Sequence, residues 1–340
     1  MRAIVYTSNG PSDVLRLEER PIPEPASGEV RVRVVVSAVN PTDWKNRAGS
    51  ASGAEVEEQS PNQDGAGVVD AVGPGVTSVA PGDRVWLFLA AYQRTSGTAQ
   101  EYTVVPSTRV VKLPDGVSFD IGASLGVPAM TAHRALTVHD GGPSRLAPGS
   151  LAGRTVLVAG GAGAVGHAAI QLAHWAGATV ITTVSSDSKA ALAAAAGADV
   201  IVNYRTEDAA ARIRSAAPDG VDLVVEVSPA RNAELNAAVL ANHGTVAVYA
   251  TDGGGIMSLD VRNHFALNVR YQFLLLYTVG PGALAAAAED ITAALADGAL
   301  PVGADSGLPL TRFPLAETAA AHDAVEQAVV GKVLIDVASL

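Results

Sequence analysis

Thr155-Val-Leu-Val-Ala-Gly-Gly-Ala-Gly-Ala-Val-Gly166, followed by the helical run His167 to Ala176, is the stretch whose reading decides the fold. A short apolar strand stops at glycines, and an Ala-rich helix begins with no room for large side chains. Such a junction lets a pyrophosphate approach backbone N–H groups at a helix N-terminus, where the helix dipole also favours an anion. Gly161, Gly163 and Gly166 form G-x-G-x-x-G, a pattern that glycine-rich chains also produce by chance and tight turns also require. Here the strand before it and the helix after it are both present, so the stretch reads as a dinucleotide-binding turn.

The flanking sequence keeps the same rhythm. Strands are expected at Thr155–Ala159, Thr179–Val184, Val200–Val202, Val221–Val227, Gly244–Ala250 and Tyr271–Leu276. Helices are expected between them at Ala164–Ala176, Ser188–Ala196, Glu207–Ala216 and Ala230–Ala241, with a further one at Ala283–Leu295. Alternation of this kind implies α/β architecture, a doubly wound parallel sheet with helices on both faces. Up to about Leu125 the chain instead reads as short strands broken by Pro and Gly. Val30, Val32 and Val34 alternate there with Arg31 and Arg33. Gly331-Lys-Val-Leu-Ile-Asp-Val337 is a strand expected to return to this first region. Two domains follow: a β-rich one over 1–126 completed by 298–340, and the dinucleotide-binding one over 127–297.

Composition narrows the partners. The 340 residues are 48% hydrophobic and only 4% aromatic, which suits buried parallel strands and closely packed helices. A net charge of −11 argues against nucleic-acid backbones and anionic membranes, so any phosphate site must be local. There is no cysteine, which removes disulfides and thiolate metal sites. Met1-Arg-Ala-Ile-Val-Tyr6 lacks a secretory apolar core and no segment is long enough to cross a bilayer, so a soluble, cytoplasmic protein is expected.

The end of the second strand of a dinucleotide fold normally carries an Asp or Glu for the ribose hydroxyls of NAD. Here that place reads Val184-Ser-Ser-Asp-Ser-Lys189. Ser185 and Ser186 stand where the acid belongs, and Lys189 lies one helical turn on. A 2′-phosphate wants hydroxyl donors and a cation and is repelled by a carboxylate. Asp187 is the one nearby acid and is free to cap the next helix instead. Asn203-Tyr-Arg205 supplies another hydroxyl and a guanidinium. The expectation is NADPH; the alternative leaves Ser185 and Lys189 as solvated helix-start residues and uses NADH.

With these residues in view, the chain closely resembles the zinc-free medium-chain dehydrogenase/reductases, in the quinone oxidoreductase or zeta-crystallin-like branch. The likeness rests on Asn40-Pro-Thr-Asp43, Asp64-Gly-Ala-Gly-Val-Val69, Gly82-Asp-Arg-Val85, Gly97-Thr-Ala-Gln-Glu-Tyr102, Gly126-Val-Pro-Ala-Met-Thr131, the glycine turn, Asn203-Tyr-Arg205 and Gly331-Lys332. The resemblance implies a GroES-like β-rich catalytic domain and a Rossmann domain. It puts Gly160, Ala162, Gly163, Ala164 and Val165 on the pyrophosphate, and Ser185, Lys189 and Tyr204 on the adenosine phosphate. Asn232, Tyr249, Ala250, Thr251, Phe273, Leu274 and Leu275 would line the ribose and nicotinamide end, with Thr131 on the nicotinamide side. It further implies a homodimer formed through the edge of the Rossmann sheet, at Tyr271–Leu276. Zinc-dependent relatives carry a cysteine after the early strand and a Gly-His-Glu further on; this chain has Asn40 and Asn62-Gln-Asp64 there, so no metal is expected.

Without a metal, the easiest hydride acceptors are already polarised: quinones, enones, enals or enoyl thioesters. Hydride addition pushes charge onto a carbonyl oxygen, and donors aimed at that oxygen lower the barrier. The candidates lie in Asn40-Pro-Thr-Asp-Trp-Lys45. Asn40 offers an amide donor and Lys45 a cation or proton if burial lowers its pKa. Asp43 either orients Lys45 or ties down the turn. Relatives often carry a tyrosine where Lys45 stands. Lys332 either reaches the cofactor or solvates a turn, and Trp44, Tyr92 and Tyr102 either flank a planar substrate or pack in the core. The expected activity is zinc-independent, NADPH-dependent reduction of quinones or α,β-unsaturated carbonyls. The alternatives are an enoyl-thioester reductase of a biosynthetic pathway and a cofactor-binding protein with little turnover.

Overall fold

A computed structural model describes residues 1–49 and 58–339 of the chain. The contacts divide it into two compact units, Met1–Val127 with Pro309–Leu340, and Pro128–Leu308. Residues 298–308, expected to return with the C-terminal segment, group with the second unit instead.

The first unit opens with β1 (Arg2–Val5), β2 (Arg16–Glu19) and the long β3 (Glu29–Val39). It continues through α1 (Pro41–Arg47), β4 (Asp64–Val72), β5 (Arg84–Leu87), β6 (Tyr102–Pro106), β7 (Val110–Lys112) and the first half of α2 (Phe119–Leu136), whose residues from Pro128 on belong to the second unit. β3 is the spine, because its inward residues Val30, Val32 and Val34 are fully buried while Arg31 and Arg33 stay partly exposed. Fully burying a Val or Leu side chain contributes about 1.5–3 kcal/mol. Val30 and Val32 pack with Val69, Val85, Leu87 and Val105. α1 is a short helix where the sequence suggested only a turn. Pro41 presets its first residue, and the Asp43 carboxylate accepts the Asn40 N–H at 2.7 Å.

The second unit holds β8 (Thr155–Ala159), α3 (Ala164–Trp175), β9 (Thr179–Val184), α4 (Asp187–Ala195), β10 (Val200–Asn203) and α5 (Ala209–Ala216). It continues with β11 (Val221–Glu226), α6 (Pro229–Val239), β12 (Leu240–Val248), α7 (Val261–Ala266), β13 (Arg270–Phe273) and α8 (Pro281–Ala296). Its six strands lie in the order β10-β9-β8-β11-β12-β13, all parallel. The chain winds outward from β8 to β10, then returns to the other side of β8. The β8/β11 boundary is therefore the switch point beside which such sheets bind ligands. Leu157, Ile181, Val202, Val224 and Val246 form the buried layer beneath it.

Boundaries shift where neighbours decide them. β13 stops at Phe273 rather than Leu276, because Leu276–Thr278 curls into a 3-10 turn that buries Leu276. The chain then returns through β14 (Leu310–Pro314), α9 (Thr318–Glu326) and β15 (Lys332–Asp336). β15 pairs antiparallel with β3, at the strand's Asn40 end. The architecture is the expected one: a GroES-like β-rich unit and a Rossmann unit with a six-stranded parallel sheet. No helix among the described residues is long and apolar enough to cross a membrane.

Candidate active site

In the second unit the residues read as cofactor-binding gather at the carboxyl ends of the parallel strands. Gly160 follows β8 in a left-handed conformation (φ +73°) that starts the turn. At Gly161 a side chain would meet Thr182 Oγ1 at 2.2 Å, and at Gly166 it would meet the Gly160 carbonyl oxygen at 2.4 Å. Both glycines are therefore demanded by packing of the turn and helix on the sheet. Gly163 is the N-cap of α3, with no side-chain cap, and the first helical bond runs from His167 N–H to its carbonyl at 2.8 Å. The N–H groups of Ala164, Val165 and Gly166 precede that bond and have no helical acceptor.

At the end of β9, Lys189 Nζ donates to Ser185 Oγ at 3.2 Å. The cap of α4 is Ser186, which accepts the Lys189 N–H, and not Asp187, the residue first considered for that role. Tyr204 joins this pair because its N–H donates to the Val184 carbonyl at 3.1 Å, while its side chain stays exposed. Beyond β12 come Tyr249, Ala250 and Thr251, and beyond β13 Leu274 and the exposed Leu275, next to the exposed Phe273. Burial, with Glu226 and Asp252 nearby, raises the Tyr249 hydroxyl pKa. Asn232, on α6, donates from Nδ2 to Glu226 Oε1 at 2.9 Å. Thr131 lies buried on α2. Glu226 was not foreseen as a site residue. It is fully buried at the end of β11 and takes the Ser228 N–H and the Asn232 and Asn236 amides. An acid at the end of the apolar run Leu223-Val-Val225 was the available signal.

The first unit assembles a different kind of centre. Asn40 is buried between two charged groups. Its Nδ2 donates to Asp64 Oδ2 at 2.7 Å, and its Oδ1 accepts from Lys332 Nζ at 2.6 Å. Lys332 Nζ lies 3.7 Å from Asp64 Oδ2, and both side chains are essentially withdrawn from solvent. The reading of Lys332 as a solvated turn residue is thus wrong, since it is only 2% exposed. The Asp64 oxygens also accept the Val127 N–H at 2.9 and 3.0 Å. Gly126 leaves the room, because a side chain there would sit 2.1 Å from Asp64 Oδ1.

Burial sets the protonation balance here. It raises the Asp64 pKa against the pull of Lys332, Asn40 and the Val127 N–H, and it lowers the Lys332 pKa against the pull of Asp64 and Asp43. Asp43 is pushed up to about 7 by burial and by the Asp64 charge. Its oxygens take the N–H groups of Asn40 and Gln63, so it ties down the turn and does not orient Lys45. Lys45 stands apart, partly exposed, its ammonium 5.7 Å from the centroid of the Trp44 ring. Burial was the premise for giving Lys45 the proton; the buried ammonium on Asn40 is Lys332. Asp64, which the sequence marks as part of a family motif and as a departure from a zinc motif but not as a site residue, is the hub.

The donor set does not suit a divalent metal. The amide of Asn40 and the carboxylate of Asp64 already face an ammonium, which would repel a second cation. Among the described residues no group of three or more His, Cys, Asp or Glu is gathered to hold one.

Against known proteins, residues 26–115 match the family described as "Alcohol dehydrogenase GroES-like domain", and residues 164–293 the one described as "Zinc-binding dehydrogenase". A quinone oxidoreductase of Rattus norvegicus is 32% identical over 255 residues, 74% of each chain. A solved structure described as an NAD-dependent alcohol dehydrogenase is 30% identical, with a TM-score of 0.86 over 99% of this chain and 100% of its own. A mycobacterial protein solved in complex with NADPH is 31% identical, with a TM-score of 0.81 over 98% of this chain and 99% of its own.

Proposed function

This chain belongs to the quinone-oxidoreductase branch of the medium-chain dehydrogenase/reductase family, and from that premise we propose that it reduces quinones or α,β-unsaturated carbonyls with NADPH, without zinc. The solved relatives point both ways on the cofactor, one described as NAD-dependent and one complexed with NADPH. The choice therefore rests on this chain's own residues. One observation carries it: Lys189 Nζ and Ser185 Oγ stand 3.2 Å apart beyond β9, where a carboxylate would serve NAD.

NADPH, when bound, supplies the hydride. The free N–H groups at the start of α3 hold its pyrophosphate. Ser185, Lys189 and Tyr204 hold its 2′-phosphate, and the residues after β12 and β13, with Thr131 and Asn232, line its ribose and nicotinamide end. Asn40 carries two N–H groups on Nδ2, of which one goes to Asp64. The other donates to the carbonyl oxygen of the substrate, where negative charge develops. Lys332 fixes the orientation of that amide, and Asp64 opposes the lowering of the Lys332 pKa by burial. Two identical chains pair along β13, the exposed edge of the parallel sheet; Phe273→Glu is expected to halve the mass seen by analytical ultracentrifugation, and an unchanged mass would remove this edge from the interface.

The deciding experiment compares NADPH and NADH oxidation with 1,4-benzoquinone, a simple enone and crotonyl-CoA. Turnover with NADPH and either of the first two supports the reading. Preference for crotonyl-CoA would assign an enoyl-thioester reductase, and no turnover despite cofactor binding would leave a binding protein.

A further inference from the structure

Asp187 is a carboxylate at the start of α4, beside the place where a 2′-phosphate would lie, and nothing in the sequence says what becomes of its charge. It occupies the first position of α4, two residues from Ser185 and Lys189 alike. The adjacent strand supplies the answer. Asn203 is the last residue of β10, in register with Val184 at the end of β9. Its Nδ2 donates to Asp187 Oδ1 at 3.1 Å. The amide cannot be turned the other way, because its Oδ1 accepts the Arg205 N–H at 3.2 Å. The Asn203 N–H is itself tied to Glu207 Oε1 at 2.7 Å, and the residue is only 8% exposed. A buried amide, held at its own backbone and at its oxygen, therefore grips an exposed carboxylate.

From this arrangement we infer that Asn203 is a specificity-determining positioning residue, which holds the Asp187 carboxylate on the β10 side so that it is not free to turn onto a phosphate bound by Ser185 and Lys189. Free of that amide, Asp187 has the hydroxyl-accepting chemistry that NAD sites place at this strand end. It would then repel a 2′-phosphate carrying about two negative charges. The inference rests on the NADPH reading above and gives it a mechanism: the chain keeps an acid beside the site but ties it to the neighbouring strand.

The test is fluorescence titration of NADPH and NADH against the full-length protein and four variants: Asn203→Ala, Asn203→Asp, Asp187→Ala, and Asp187→Ala with Asn203→Ala. The wild type is expected to bind NADPH the more tightly. Asn203→Ala should lower the NADPH-to-NADH affinity ratio about tenfold, or about 1.4 kcal/mol. Asn203→Asp keeps an acceptor for the Arg205 N–H, so the strand end is preserved, but sets a second carboxylate against Asp187; it should lower the ratio at least as far. In the Asp187→Ala background, Asn203→Ala should change the ratio little. A merely structural Asn203 would weaken both cofactors alike. An unchanged ratio in both Asn203 variants, or an equal fall with Asp187 removed, overturns the inference alone. A wild type that prefers NADH overturns the NADPH reading and the inference with it.

Discussion

Most of the residues of the second unit proposed to hold the cofactor sit at consecutive strand ends, each a few positions from a glycine, serine or tyrosine visible in the sequence. The polar centre of the first unit instead joins Asn40 to Asp64 and Lys332, which are 24 and 292 residues away along the chain. One is built mainly from backbone geometry: the missing side chains of Gly161 and Gly166 and the uncapped start of α3. The other is built from buried charge, with an ammonium, a carboxylate and an amide held together out of water. Backbone sites tolerate changes of charge but not of bulk, whereas buried charge clusters tolerate changes of bulk better than the loss of a partner.

The largest expected effect follows from the second half of that contrast. Lys332→Met strands the Asp64 carboxylate in the interior, and removing one partner of a buried pair typically costs about 3–5 kcal/mol. Urea denaturation should show the loss together with a collapse of turnover. A stability change under about 1 kcal/mol would mean that the charges of this centre are not coupled.

Acid should come next. His167, hydrogen-bonded to the Ser306 carbonyl at 2.8 Å, is lowered by burial from an ordinary 6.5 to about 4, and His322 in the first unit to about 3. Between those values and 6.5 the unfolded chain takes up protons that the folded chain refuses. Stability is thus full above pH 6.5 and falls as the pH drops toward about 4. At about 1.4 kcal/mol per pH unit, one such imidazole removes up to about 3 kcal/mol. Denaturation of the wild type and His167→Gln at pH 7 and 4.5 measures this, and parallel slopes for the two proteins would discard it.

Gly161→Ala probes the backbone site. Its new methyl group would press on Thr182 Oγ1 and Ile170, and overpacking of this kind costs about 1–3 kcal/mol. NADPH affinity should fall with it while turnover at saturating cofactor changes far less. If turnover falls and affinity holds, the division of labour between the two regions is misread. Smallest of all, Lys45→Ala should alter stability by no more than about 0.5 kcal/mol. Turnover should stay near that of the wild type, because Lys332 and not Lys45 contacts Asn40. A large fall in turnover would return the proton-donor role to Lys45.

Legibility tracked the range of the interactions. β8 and β9 were read to the residue, because continuous apolar runs bounded by glycine or serine leave little freedom. α1, α7 and α9 were missed: α1 is held by a proline and one carboxylate–amide bond, α7 is six residues capped by Asp260, and α9 carries only a short alanine run. Asn40 was found but its partners were not, since no local pattern connects a residue after β3 with the first residue of β15. Asp187 was noticed as an acid, yet its restraint by Asn203 depends on β10 lying beside β9.

Local order along the chain was enough for the parallel sheet, the glycine turn and the hydroxyl-and-lysine pair beyond the second strand, because strand periodicity and backbone sterics act between near neighbours. Which lysine meets Asn40, how Asp64 is satisfied, and where the charge of Asp187 goes depended on strands and helices meeting in space. Buried charges find their counterparts by proximity after folding, and no spacing in the chain encodes that distance.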